Sequence, residues 1–122
     1  MISELMPQTF LSIDVSTDVF DLDLDTNEHY QLQISCKDDV NNIKISSSTY
    51  FGARHGLETL FQLIYFDNFK LSFLLPCDVD ISDGPYYKHR GVMLDTARYI
   101  LNSVIYKVIF IKISLGISSL LT

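Results

Sequence analysis

With 122 residues and a formal net charge of −6, the chain has room for one modest core and is far too short for a closed (β/α)8 barrel. The acidic balance excludes a nucleic-acid protein of the usual kind, which gathers Lys and Arg on one face to meet phosphate. A composition of 48% hydrophobic and 12% aromatic residues excludes disorder throughout.

The first seven residues, Met1-Ile-Ser-Glu-Leu-Met-Pro7, have neither the basic region nor the apolar stretch of a signal peptide, so no export signal is expected in them. From Thr9 to Ser16, Leu11, Ile13 and Val15 alternate with Ser12, Asp14 and Ser16. That period of two is a strand with one wet face. Phe20, Leu22 and Leu24 alternate with Asp21, Asp23 and Asp25, and Tyr30, Leu32, Ile34 and Cys36 with Gln31, Gln33 and Ser35, so two further strands are expected. The turn formers of Lys37–Asn42, leading to Ile43 and Ile45, predict a β-hairpin.

At Ser48-Thr49 the period changes. Ala53, Leu57, Leu60, Phe61 and Ile64 recur at helical spacing, which predicts an amphipathic helix over roughly 50–65 with Ser48 or Thr49 as its N-cap. Gly52 and Gly56 share one face of it, where missing side chains let the backbone approach the sheet. Beyond it, Leu71, Phe73 and Leu75, then Cys77, Val79 and Ile81, read as two more strands, closed by the break Ser82-Asp-Gly-Pro85. Arg90-Gly-Val-Met-Leu-Asp95 is a short apolar run of the kind buried on both faces of a sheet.

Several residues invite sharper readings that the pattern does not favour. Cys36 and Cys77 have no metal spacing; they are two buried thiols or one disulfide. His29, His55 and His89 are too widely separated to read as a metal site, and the acidic run Asp14 to Glu28 lacks the spacing and glycine of a calcium loop. Alternating Asp on strands is a solvated face. Tyr86-Tyr87 reads as domain-junction packing before a sugar-stacking platform. Residues 104–121 are apolar, but Lys112 sits near their middle, where a charge costs about 2.5–3.5 kcal/mol, so a membrane span is not expected.

Two stretches, Ser48-Thr-Tyr-Phe-Gly-Ala-Arg-His-Gly-Leu-Glu-Thr-Leu-Phe-Gln-Leu63 and Asp83-Gly-Pro-Tyr-Tyr-Lys-His-Arg-Gly-Val-Met-Leu-Asp-Thr-Ala-Arg98, resemble the family 20 glycoside hydrolases, the β-N-acetylhexosaminidases. The likeness spans roughly residues 10–98. It implies an α/β (α+β) fold, an antiparallel sheet with one main packed helix over residues 1–84, followed at 85–99 by an isolated first strand of a TIM barrel. The family removes terminal N-acetylhexosamine from glycans and chitin fragments by substrate-assisted retaining hydrolysis, with no cofactor. An Asp orients the 2-acetamido nucleophile, and the adjacent Glu protonates the leaving oxygen. This sequence contains no Asp-Glu dipeptide, so no catalytic residue is assigned and the chain alone is expected to be inactive.

By residue-to-residue transfer, Arg90 of His89-Arg90-Gly91 matches the family arginine that binds hydroxyls of the non-reducing sugar, a task suited to a planar guanidinium. Asp95 and Arg98 are assigned to strand-end hydrogen bonding or pairing. The resemblance further implies a glycan substrate, homodimerisation of the intact enzyme and a lysosomal or extracellular location. The tail 100–122 departs from the family: its Ile, Leu, Ser, Lys, Phe and Tyr are the residues of AT-rich codons, as translation into an intron would produce. Two rival readings are a non-catalytic α/β module that binds a partner protein and an unstable product of a truncated gene model.

Overall fold

In the computed structural model, which describes residues 2–4 (as backbone), 8–18, 20–37 and 40–91, the chain divides between Gly84 and Pro85 into two units. The first is built on a hairpin. Strand β3 (Tyr30–Lys37) pairs antiparallel with β4 (Val40–Ser47) in an unbroken register from Lys37↔Val40 to Tyr30↔Ser47. The alternation of its residues sends Tyr30, Leu32, Ile34, Ile43 and Ile45 to one face, where all five are buried. Burying each such aliphatic side chain stabilises the fold by about 2 kcal/mol.

Strand β2 (Thr9–Val15) lies parallel to β4, and β7 (Val79–Asp83) lies antiparallel to β3, which completes a four-stranded sheet of order β2-β4-β3-β7. The expected antiparallel sheet therefore contains one parallel pair. Helix α1 (Tyr50–Leu63) covers the apolar face and buries Gly52, Ala53, Gly56 and Leu60. Thr49 is its N-cap: the backbone there is extended, and the hydroxyl accepts the Gly52 N–H at 3.3 Å. Phe61, counted on the apolar face from its spacing, is 67% exposed.

A smaller sheet of order β1-β6-β5 follows, from β1 (Ile2–Glu4), β5 (Tyr65–Asp67) and β6 (Ser72–Pro76). It joins the main core through Leu75, which is fully buried. Neither β1 nor β5 stands out in the sequence, because three residues are too few to establish a period. A disulfide between Cys36, in β3, and Cys77, just before β7, ties the two sheets together.

Two expectations fail. Residues 20–25 form no strand, and Phe20, Leu22 and Leu24 are exposed. Their alternation meets no neighbouring ladder, and Asp23 instead closes a turn, its Oδ1 accepting the Asp25 N–H at 2.9 Å and the Thr26 hydroxyl at 2.8 Å. In β2, Leu11, Ile13 and Val15 lie on the helix side yet are 48, 42 and 40% exposed, so neither face of this strand is dry. Helix α1 lies chiefly over β3 and β4. Of the expected barrel strand, Val92–Asp95 lie outside the described residues, as do Arg98 and the tail 100–122.

Candidate functional site

The polar residues of the first unit converge on the corner between β4 and α1. The connection from β2 to β3 runs over that corner and is fastened to it at both ends. The Ser16 N–H donates to the Ser47 carbonyl at 3.1 Å, and the Thr17 hydroxyl donates to the Ser48 carbonyl at 2.6 Å. At the far end, the Asn27 amide donates to the Ser48 hydroxyl at 3.0 Å, while the Thr49 hydroxyl donates to the Asn27 carbonyl at 2.5 Å. His55 of the helix meets Glu28 of the connection at 2.8 Å, with both side chains close to 90% buried (11% and 12% exposed).

This corner was not legible from the sequence. The partners stand 21 to 31 residues apart, beyond any local period, and only the Thr49 cap gave a signal. Thr49→Ala removes the cap acceptor and the donor to Asn27 together, so it should cost about 1–2 kcal/mol in urea unfolding, with Thr49→Ser retaining most of that. Equal stability of wild type and Thr49→Ala would remove Thr49 from this role.

Beside the corner lies an open cleft of about 330 Å³ lined by Asp14, Ser16, His29, Gln31, Ser46 and Ser82 among others. Its walls offer hydroxyls, an amide, one carboxylate and one imidazole, a set suited to holding water or a polar group and lacking the paired carboxylates of glycoside hydrolysis. His29 is spent on packing: a Cβ on Gly84 would stand 2.8 Å from its Nδ1. Tyr30 has its pKa raised, first by burial and further by Asp83, with its hydrogen bond to Thr59 at 2.6 Å acting the other way. Its phenol is a core group that stays protonated. Among the described residues, no three His, Cys, Asp or Glu side chains are placed to hold a metal, and no helix is long and apolar enough to cross a membrane.

Arg90 lies in the second unit, in the segment Pro85–Gly91, which carries no carboxylate. Its Nη1 donates to the Tyr87 carbonyl. The rings of Tyr86 and Tyr87 meet edge to face with centroids 5.0 Å apart, and both are exposed. Asp95 and Arg98 lie outside the described residues.

Comparison with known proteins gives this geometry its context. The sequence profile of the family described as "beta-acetyl hexosaminidase like" matches residues 5–63. The chain is 45% identical over 84 residues to the chitooligosaccharidolytic beta-N-acetylglucosaminidase of Bombyx mori, covering 66% of this chain and 14% of that protein. It is 47% identical over 76 residues to the protein of that name from Ostrinia furnacalis, covering 62% and 13%. Among solved structures, it superposes on the chitobiase of Flavobacterium johnsoniae with a TM-score of 0.69 and 32% identity, over 88% of this chain and 15% of that one. The chain thus spans about one seventh of the length of these relatives.

Proposed function

Since the chain belongs to the family 20 β-N-acetylhexosaminidases, represented by their amino-terminal α+β domain, we infer that residues 1–84 form a non-catalytic brace for a glycosidase barrel. The observation that carries this reading is the contrast inside the first unit. Its polar side chains are committed to holding the corner of the fold, through Thr49, Asn27 and the Glu28–His55 pair. The cleft beside that corner carries a single carboxylate, Asp14, and the family's Asp-Glu pair is absent from the sequence.

In this reading the whole enzyme acts on glycans or chitooligosaccharides that end in N-acetylhexosamine, and residues 85–99 begin its barrel. Arg90 supplies guanidinium donors to hydroxyls of the terminal sugar, in place of the Tyr87 carbonyl it now meets. The Cys36–Cys77 disulfide supports an oxidising location, as in secretion or the lysosomal route, because cytosolic thiols are kept reduced.

The purified chain should release no chromophore from a nitrophenyl N-acetylglucosaminide above the rate in buffer. Turnover that Arg90→Ala abolishes would overturn the reading. In a longer form of the protein that carries the Asp-Glu pair, Arg90→Ala should lower kcat/KM by about 100-fold or more, the loss of roughly 3 kcal/mol expected when a charged hydrogen-bond donor to substrate is removed.

A further inference from the structure

Helix α1 covers one face of the four-stranded sheet, and the opposite face is of another kind. Where Leu32 and Ile34 point to the core, Gln31 and Gln33 point away from it. The strand registers carry the same alternation across the sheet, so that Ser12, Lys44, Gln33 and Asp80 form one row on this outer face. The row beside it is Phe10, Asn42 and Ser35, in which Phe10 is 62% exposed. Residues of these two rows line an open cleft of about 530 Å³, a volume in the range of small-molecule sites. The smaller cleft lined by Asp14 and Ser46 lies on the next row of the same strands.

The charged groups of this face are already matched. Lys44 Nζ meets Asp14 at 3.1 Å, and Asp80 accepts from the amides of Gln31 and Gln33 at 3.1 and 3.3 Å. That holds both glutamine amides in place, each with a carbonyl oxygen able to accept from a hydroxyl. Two classes of partner fit such a face poorly. Interfaces between proteins are depleted in Ser, Asp and Lys, which are the residues of these rows. A phosphate-bearing ligand needs a surplus of cations, whereas here two carboxylates, Asp14 and Asp80, stand with one ammonium, Lys44. A neutral solute rich in hydroxyls, with an apolar ring face for Phe10 to pack against, meets every condition. That is the chemistry of a sugar.

We propose that the outer face of the sheet around Phe10 and Gln33 binds a neutral oligosaccharide that carries acetamido groups. The acetamido identity rests on the reading above, in which the whole enzyme acts on glycans ending in N-acetylhexosamine. Phe10 packs against the C–H face of one sugar ring. The side-chain amides of Gln33 and Asn42 meet an acetamido group, which is itself both donor and acceptor, and the hydroxyls of Ser12 and Ser35 meet those of the ring. Successive rows lie about 7 Å apart along a strand. A linear oligosaccharide lying along β4 therefore sets neighbouring sugars over neighbouring rows.

Titrating the full chain with chitotetraose, the tetramer of N-acetylglucosamine, should give saturable amide shifts by NMR, centred on Phe10, Ser12, Gln33, Ser35 and Asn42. Phe10→Ala should weaken binding by about tenfold, Gln33→Ala should weaken it less, and Phe10→Tyr should retain it. Phe61→Ala, which removes a comparably exposed ring from the helix, should leave affinity unchanged. Gln33→Ala carries the test if Phe10→Ala does not fold. Absence of saturable shifts at millimolar sugar, shifts centred elsewhere, or wild-type affinity in Phe10→Ala or Gln33→Ala would each overturn the proposal. Any of these results leaves the non-catalytic brace standing, which only turnover by the chain removes.

Discussion

Reduction of the Cys36–Cys77 bond, or its removal by Cys36→Ser with Cys77→Ser, should lower the stability of the first unit by about 4 kcal/mol, the largest single effect expected in this chain. The bond links residues 41 apart. Closing a loop of that length in the unfolded chain restricts it by about 4 kcal/mol on the chain-entropy account, and native disulfides of small domains are worth about 2–5 kcal/mol. For a unit of this size each kcal/mol moves the midpoint by about 4–8 °C. The Tm measured by circular dichroism should therefore fall by about 15 °C or more when reductant is added.

Position sharpens that expectation. Cys77 is buried, and it joins β6 of the small sheet to β7 of the large one. The small sheet consists of strands of three, five and three residues, too little paired surface to hold itself. Without the bond its attachment rests on Leu75 and its neighbours in the core. The reduced chain should thus lose amide-exchange protection first in Tyr65–Pro76, before β3 and β4. An unchanged midpoint in a sample shown by thiol titration to be fully reduced would contradict this account.

The second large effect is expected at the two helix glycines, and it differs between them. A Cβ on Gly52 would stand 2.5 Å from the His29 carbonyl oxygen and 3.1 Å from the Ser47 Cβ, so backbone that is fastened at the corner would have to move. A Cβ on Gly56 would stand 2.7 Å from the Ile45 Cγ2 and 3.1 Å from the Tyr30 ring, where side chains can shift by rotation. Either alanine gains about 1 kcal/mol in helix propensity, against about 1–3 kcal/mol for overpacking. Gly52→Ala should therefore destabilise by about 2 kcal/mol or more, and Gly56→Ala by about 1 kcal/mol or less. Urea unfolding of the two variants tests the order, and a reversed order would refute the claim that the β2–β3 connection is rigidly seated on the helix.

The glycine pair also shows how far a pattern reaches. Its spacing correctly marks one close-packed face of α1, and Gly56 does bring the helix onto Ile45. Gly52 serves a different neighbour, the backbone of Glu28 and His29, which the pattern assigned to no element. The aspartates between Phe20 and Asp25 misled in the opposite sense. Their alternation is that of a strand, but a strand requires a partner ladder, and Asp23 bonds locally in its place.

What the sequence determines by itself is therefore what repeats within a few residues. The alternation of Tyr30–Cys36 and of Ile43 with Ile45, the helical spacing that begins after Thr49, and the paired motifs around Gly52 and His89 are all local, and they yield the hairpin, the helix and the family. Only the tertiary structure decides the parallel seating of β2 on β4, the pairing of Cys36 with Cys77 and the meeting of Glu28 with His55. Each of those joins residues about 27 to 41 positions apart, and contacts at that range depend on how buried surfaces fit after the elements form, which local period does not encode.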